Sequence, residues 1–117
     1  MSSSKEEREE AKMKKMASAA LKKLAPEVYT LEKRFEALKR DFDRANDEGT
    51  AGKQRKAFLA EAKLINEIGT LLLIKFDGVV LHPKDQVNRQ VRKGQIQRVQ
   101  AIDRALATTG LMPNVSL

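Results

Sequence analysis

The chain has no cysteine and no tryptophan, and only one histidine, one tyrosine, three prolines and six glycines in 117 residues. Without cysteine there can be no disulfide framework and no thiolate metal site, which fits a reducing compartment, and the lone His82 cannot build an imidazole cluster. Aromatic residues at 4% and a combined nine of proline and glycine leave little material for strands and their turns. No run approaches the roughly 18 to 20 apolar residues that cross a bilayer. The best, Leu71 to Ile74, is bounded by Lys75 and Asp77, so a soluble protein is expected.

Enzyme signatures are missing as well. There is no glycine-rich phosphate loop, no Cys nucleophile and no second histidine to pair with His82 on a metal, so no catalytic residue, metal or cofactor is expected. His82 precedes Pro83 and reads as a solvated loop residue. Glu6, Glu7, Glu9 and Glu10 argue against an acid-poor transit peptide, and no apolar signal core follows them, so a cytoplasmic, or also nuclear, location is expected. Asn114-Val115-Ser116 matches a glycosylation acceptor but, with no secretory signal, reads as a chance match.

What remains is the composition of amphipathic helices, with 33% charged and 41% hydrophobic residues in a chain the length of one domain. Leu21, Leu24, Val28, Leu31, Phe35, Leu38 and Phe42 alternate spacings of three and four, a heptad seam that predicts a first helix. Pro26 falls within it and means either a kink or, the reading favoured, a helix start nearby, in the position where a proline costs least. Residues 1–25 are then a flexible or partly helical N-terminal segment. Asn46 to Gly52 forms a turn.

A second helix is predicted over Lys53 to Asp77 from Phe58, Ala62, Ile65, Ile68, Leu72 and Phe76, with Leu64 and Leu71 widening the stripe. Gly69 in its interior is tolerable where another helix packs closely, and Gly78 is a C-terminal stop. After Val79-Val80-Leu81-His82, Pro83 opens a third helix to about Thr108, with Val87, Val91, Val99, Ile102 and Leu106 as its stripe. Gly110 and Pro113 close it, leaving 109–117 as a tail. Three helices with short connections predict an all-α fold, an antiparallel three-helix bundle over 26–108.

The net charge of +7 divides unevenly, as +3 over residues 1–25, −2 over 26–52 and +6 over 53–107. The excess in the second half suggests a basic helical nucleic-acid-binding module as one reading, but the bases are interleaved with Glu61, Glu67, Asp77, Asp85 and Asp103, and no aromatic platform accompanies them. The Met13 to Met16 stretch as a membrane-surface helix has mostly small apolar residues. A polar ridge carries more information. At 100° per residue Glu67, Thr70, Ile74 and Asp77 share one side of the second helix, and Arg92 and Gln100 share one side of the third. A hairpin turning near residue 80 sets level those residues whose numbers sum to about 160, placing Glu67 opposite Arg92 and Asp77 near Lys84. This could be an exposed salt bridge of little energetic weight. Asp77, however, sits at a helix C-terminus where the dipole disfavours a carboxylate, which favours a role toward a partner.

Ile65-Asn66-Glu67, Leu71 to Gly78, and Val91-Arg92-Lys93-Gly94-Gln95-Ile96-Gln97-Arg98-Val99-Gln100 together resemble the BAG domain, over roughly residues 27–107. The resemblance is architectural only in the first helix. It implies a co-chaperone that grips the nucleotide-binding domain of heat shock protein 70 with its second and third helices, promotes ADP release, and contacts the chaperone through Glu67, Asp77, Arg92, Lys93 and Gln100. Alanine at Glu67 or Arg92 is then expected to remove binding with little loss of stability. Gly94, in place of a better helix former, and the apolar linker Val79 to His82 depart from the family pattern. The chain also lacks the ubiquitin-like or proline-rich modules of longer members, which implies a fragment or a minimal member. A monomer is expected, because the Leu21 to Phe42 seam is consumed by the bundle core rather than by a coiled-coil partner.

Overall fold

The structure, a computed structural model, describes residues 2–111, with side chains from Lys5 onward. Its elements are α1 (Ser2–Asp47), α2 (Ala51–Asp77) and α3 (Gln86–Thr109). All three pack against one another, α2 antiparallel to both α1 and α3, in a rod of 72 × 28 × 17 Å. The all-α three-helix fold is the one predicted. The expectations placed on Pro113 and on Asn114 lie outside the described residues.

The helix start expected near Pro26 is not observed, because α1 runs without a break from Ser2 through Pro26 to Asp47. Proline in a helix interior removes one backbone hydrogen bond and crowds the carbonyl four residues back, here that of Lys22. Pro26 and Lys22 are both exposed, so water can serve that carbonyl. The opposite side of α1 is core on both sides of the proline: Ala17, Leu21 and Leu24 before it, Val28, Leu31 and Leu38 after it, all at most 8% exposed. Burial along one continuous face outweighs the local penalty, of about 3 kcal/mol.

α1 ends at a Schellman turn. Gly49 takes a left-handed φ of 73°, the Thr50 N–H donates to the Ala45 carbonyl at 2.8 Å, and the Gly49 N–H donates to that of Asn46 at 3.2 Å. The predicted turn is therefore shortened to residues 48–50. At the other end of α2, Gly78 does not adopt the left-handed stop expected of it. It stays right-handed, with φ of −77°, and the chain runs on past the helix end. The apolar linker accounts for this: Val79 is buried and Leu81 packs against the core cluster, so the segment closes the bundle there. Asp85 then caps α3, accepting the Asn88 N–H at 3.0 Å, so α3 begins at Gln86 rather than at Pro83.

Packing corrects two assignments. Leu64 and Leu71 do not widen the α2 stripe; they are 38% and 57% exposed. Val87 and Val91 are 75% and 44% exposed, and the inner face of early α3 belongs to Asn88 instead. The buried Asp85–Asn88 pair sets that rotation, since the Asn88 amide donates both to the Asp85 carboxylate at 2.7 Å and to the Lys14 carbonyl of α1 at 3.0 Å. Desolvation pushes the Asp85 carboxyl up, but the hydrogen bonds from Asn88 and the charges of Lys14 and Arg89 outweigh it and hold it below its ordinary value. The tyrosine is likewise outside the core: Tyr29 is 56% exposed, with Lys33 over its ring, whereas Phe42 and Phe58 meet edge to face at 5.4 Å.

Gly69 fulfils its expectation of a close approach. A Cβ there would lie 3.5 Å from Val99 and Asp103 of α3 and 3.7 Å from Leu31 of α1, so all three helices converge on it. Gly94 has no such reason, since a Cβ there would meet nothing within 4 Å.

Candidate functional site

The α2/α3 face is built on the outer flanks of the two helices that share the Gly69 contact. On α2, Ile65, Leu72 and Phe76 point inward, and at 100° per residue Glu67 and Ile74 lie on the far side while Asp77 leans toward α3. Glu67, Asp77, Lys93 and Gln100 are all exposed, and Ile74, 61% exposed, sits between the two carboxylates. Among the described residues, neither Glu67 nor Asp77 takes part in an ion pair.

The register differs from the one expected. Gly69 contacts Val99 and Asp103, and Arg92 reaches Val79, so level residues have numbers summing to about 170 rather than 160. The cause is the linker, which carries the chain beyond the end of α2 before α3 begins. Asp77 therefore lies level with Lys93, not Lys84, and Glu67 is about 15 Å farther along the axis, at about 1.5 Å per residue. Gln100 falls between them.

The Glu67–Arg92 bridge is accordingly not formed. Arg92 is half-buried and its guanidinium donates to the Val79 carbonyl at 3.1 Å, tying α3 to the linker. The structure thus brings together Asp77, Arg92 and Lys93 at the linker end of the face and sets Glu67 apart. The bases and acids that do pair across helices lie elsewhere: Arg34 with Glu61 at 2.5 Å, Lys75 with Glu27 at 3.0 Å, and Arg98 with Glu32. These surface pairs contribute little, about 0 to 1 kcal/mol each.

Asp103 was not singled out by the sequence, where it reads as one more acid among bases. Its Oδ1 is buried against the Gly69 notch with no hydrogen-bond partner among the described residues, and desolvation pushes the carboxyl up. A raised folded-state value means that stability present below the unfolded value is lost as pH rises through the folded one. Asp103→Asn should therefore stabilise the fold near neutral pH by up to about 1 kcal/mol, a figure kept small because the residue is only half-buried. Thermal melts of both proteins should converge on acidification. A gap that persists at low pH would assign the effect to something other than the charge.

Among the described residues no cluster could hold a metal ion, and no helix is long and apolar enough to cross a membrane. What the α2/α3 face offers is an exposed row of unpaired charges and amides on rigid helices, suited to binding. A family model, that of the BAG domain, matches residues 15–106, starting well before Pro26 where α1 is already core. Comparison with curated proteins and with solved structures found no match. A continuous match across all three helices, on a bundle of the expected architecture, leads to one assignment: the chain belongs to the BAG domain family, a family of heat shock protein 70 co-chaperones.

Proposed function

We propose that the chain is a non-enzymatic nucleotide exchange factor, binding the nucleotide-binding domain of heat shock protein 70 through α2 and α3 and promoting ADP release. The observation that supports it best is the pair of exposed, unpaired carboxylates, Glu67 and Asp77, on the face that also carries Lys93 and Gln100. A carboxylate left without a partner retains its full capacity for a cation on another protein. Asp77 does so at a helix end where the dipole opposes it. Arg92 serves in part through the linker that it holds.

Exchange requires that the chain bind the open nucleotide-binding cleft more tightly than the closed one. Linkage then makes the coupling reciprocal: nucleotide that closes the cleft expels the chain, and the chain expels nucleotide. A rigid rod suits this, since its contacts fall at fixed separations, with Asp77 and Glu67 about 15 Å apart along α2. A chaperone domain must match that spacing in one state. Release of labelled ADP from the isolated domain tests the proposal: release should accelerate on addition of the chain, and an unchanged rate at saturation refutes it. Action in the cytoplasm, where such chaperones work, belongs to the same proposal.

A further inference from the structure

α2 stops at Asp77, but α1 continues in the direction α2 was heading, and the flank of α1 that α2 would have covered is only partly covered by the linker. Met16, Ala17, Ala20 and Lys23 of α1, with Val79 and Val80 of the linker, line a groove of about 480 Å³ there. Met16 is 62% exposed and Val80 71%.

The charges on this side of α1 carry an order that runs past the groove, since Glu9 lines the adjoining hollow with His82 and Lys84. Glu9, Met16 and Lys23 are spaced by seven and so share one side of α1, drifting by only about 20° per step. Glu9 and Lys23 are exposed, and neither takes part in an ion pair among the described residues. A two-fold axis through Met16 would align a second α1 antiparallel to the first and set opposite one another positions whose numbers sum to 32, twice 16. Glu9 then faces Lys23 of the second copy, Lys23 faces its Glu9, Met16 meets Met16, and Lys12 and Met13 lie against Ala20 and Ala19. A parallel pairing in register would instead oppose Glu9 to Glu9 and Lys23 to Lys23. Antiparallel is also the sense in which α2 already runs against α1, so the second helix would take up the track that α2 leaves.

We propose that the chain self-associates as an antiparallel two-fold dimer through the Glu9, Met16 and Lys23 face of α1. The occupant is a second copy because the chain carries its own complement, an acid seven residues before an exposed apolar residue and a base seven residues after it. The contact spans only a few helical turns, short of the roughly 1,200 Å² of a standard stable interface, so the dimer is weak and salt-sensitive. The monomer expected from the sequence is its dilute state. This seam is separate from the buried Leu21 to Phe42 seam and leaves the α2/α3 face open.

Sedimentation of the full chain from about 10 μM to about 1 mM at low salt should show a shift toward dimer. Lys23→Glu or Glu9→Lys, each replacing two attractive pairs by two repulsive ones, should weaken association by about tenfold or more, and the double reversal should restore it. Because the chain has no cysteine, Met16→Cys should oxidise to a covalent dimer under conditions in which the exposed control Lys39→Cys does not. A monomer at every concentration, a dimer indifferent to both single reversals, or a double reversal that fails to recover association would each overturn the proposal.

Discussion

Replacing Glu67 and Asp77 together by alanine should lower affinity for the nucleotide-binding domain of heat shock protein 70 by at least about a hundredfold, while moving the thermal midpoint by no more than about 2 °C. Both side chains are exposed and unpaired, so the fold loses no contact with them. Removing the Asp77 carboxylate even relieves the last turn of α2, where it opposes the dipole. Calorimetric titration paired with a thermal melt separates the outcomes. Unchanged affinity would show that the α2/α3 face is not the interface, and a large drop in midpoint would assign the two acids to the fold. Arg92→Ala is a poorer probe than the sequence suggested. Its half-buried guanidinium holds the Val79 carbonyl, so its loss should cost about 1 kcal/mol of stability in addition to any contact.

Phe76→Ala should cost about 3 to 5 kcal/mol and lower the thermal midpoint by at least about 12 °C, as followed by helical circular dichroism. Phe76 is fully buried at the end of α2, beside the linker whose Val79 seals the core. The cavity left by the ring would sit beneath Asp77, and the linker that sets the offset between α2 and α3 would lose its floor. Chaperone binding should weaken along with stability, which distinguishes this variant from the Glu67 and Asp77 pair. A cost below about 1 kcal/mol would mean that the bundle is not closed at this end.

Where spacing alone determines burial, the sequence is legible. The seam from Leu21 to Phe42 and the α2 stripe from Phe58 to Phe76 both face the core, because a face repeated every three or four residues has only one place to go in a bundle. Pro26 misled because a local rule about proline met a longer apolar face on both sides of it. Val87 and Val91 misled because the apolar stripe of α3 is thin there, and a buried polar pair, Asp85 with Asn88, decides which side turns inward.

The candidate site divides similarly. That Glu67, Asp77, Lys93 and Gln100 are exposed follows from their angular positions relative to the core residues. How far apart they lie does not, because register depends on how many residues the linker spends beyond α2, and nothing in Gly78 to Asp85 announces that the chain runs on to His82 before it turns. Arg92 shows the consequence: read as a partner for Glu67, it is held instead by Val79. Asp103 was legible neither as buried nor as unpaired, since only the close approach at Gly69 creates its surroundings.

The proposed exchange activity has this bundle act on another protein's nucleotide rather than on a substrate or a nucleic acid of its own. The most direct measurement is stopped-flow release of fluorescent ADP from the nucleotide-binding domain of heat shock protein 70, with the chain titrated to saturation. The release rate should rise with concentration to a plateau, and should not rise with the Glu67→Ala, Asp77→Ala double variant. A rate that stays at its unassisted value at saturating chain would contradict it. Affinity for nucleic acid that falls steeply with salt would, alongside that result, turn the basic second half of the chain toward the other reading.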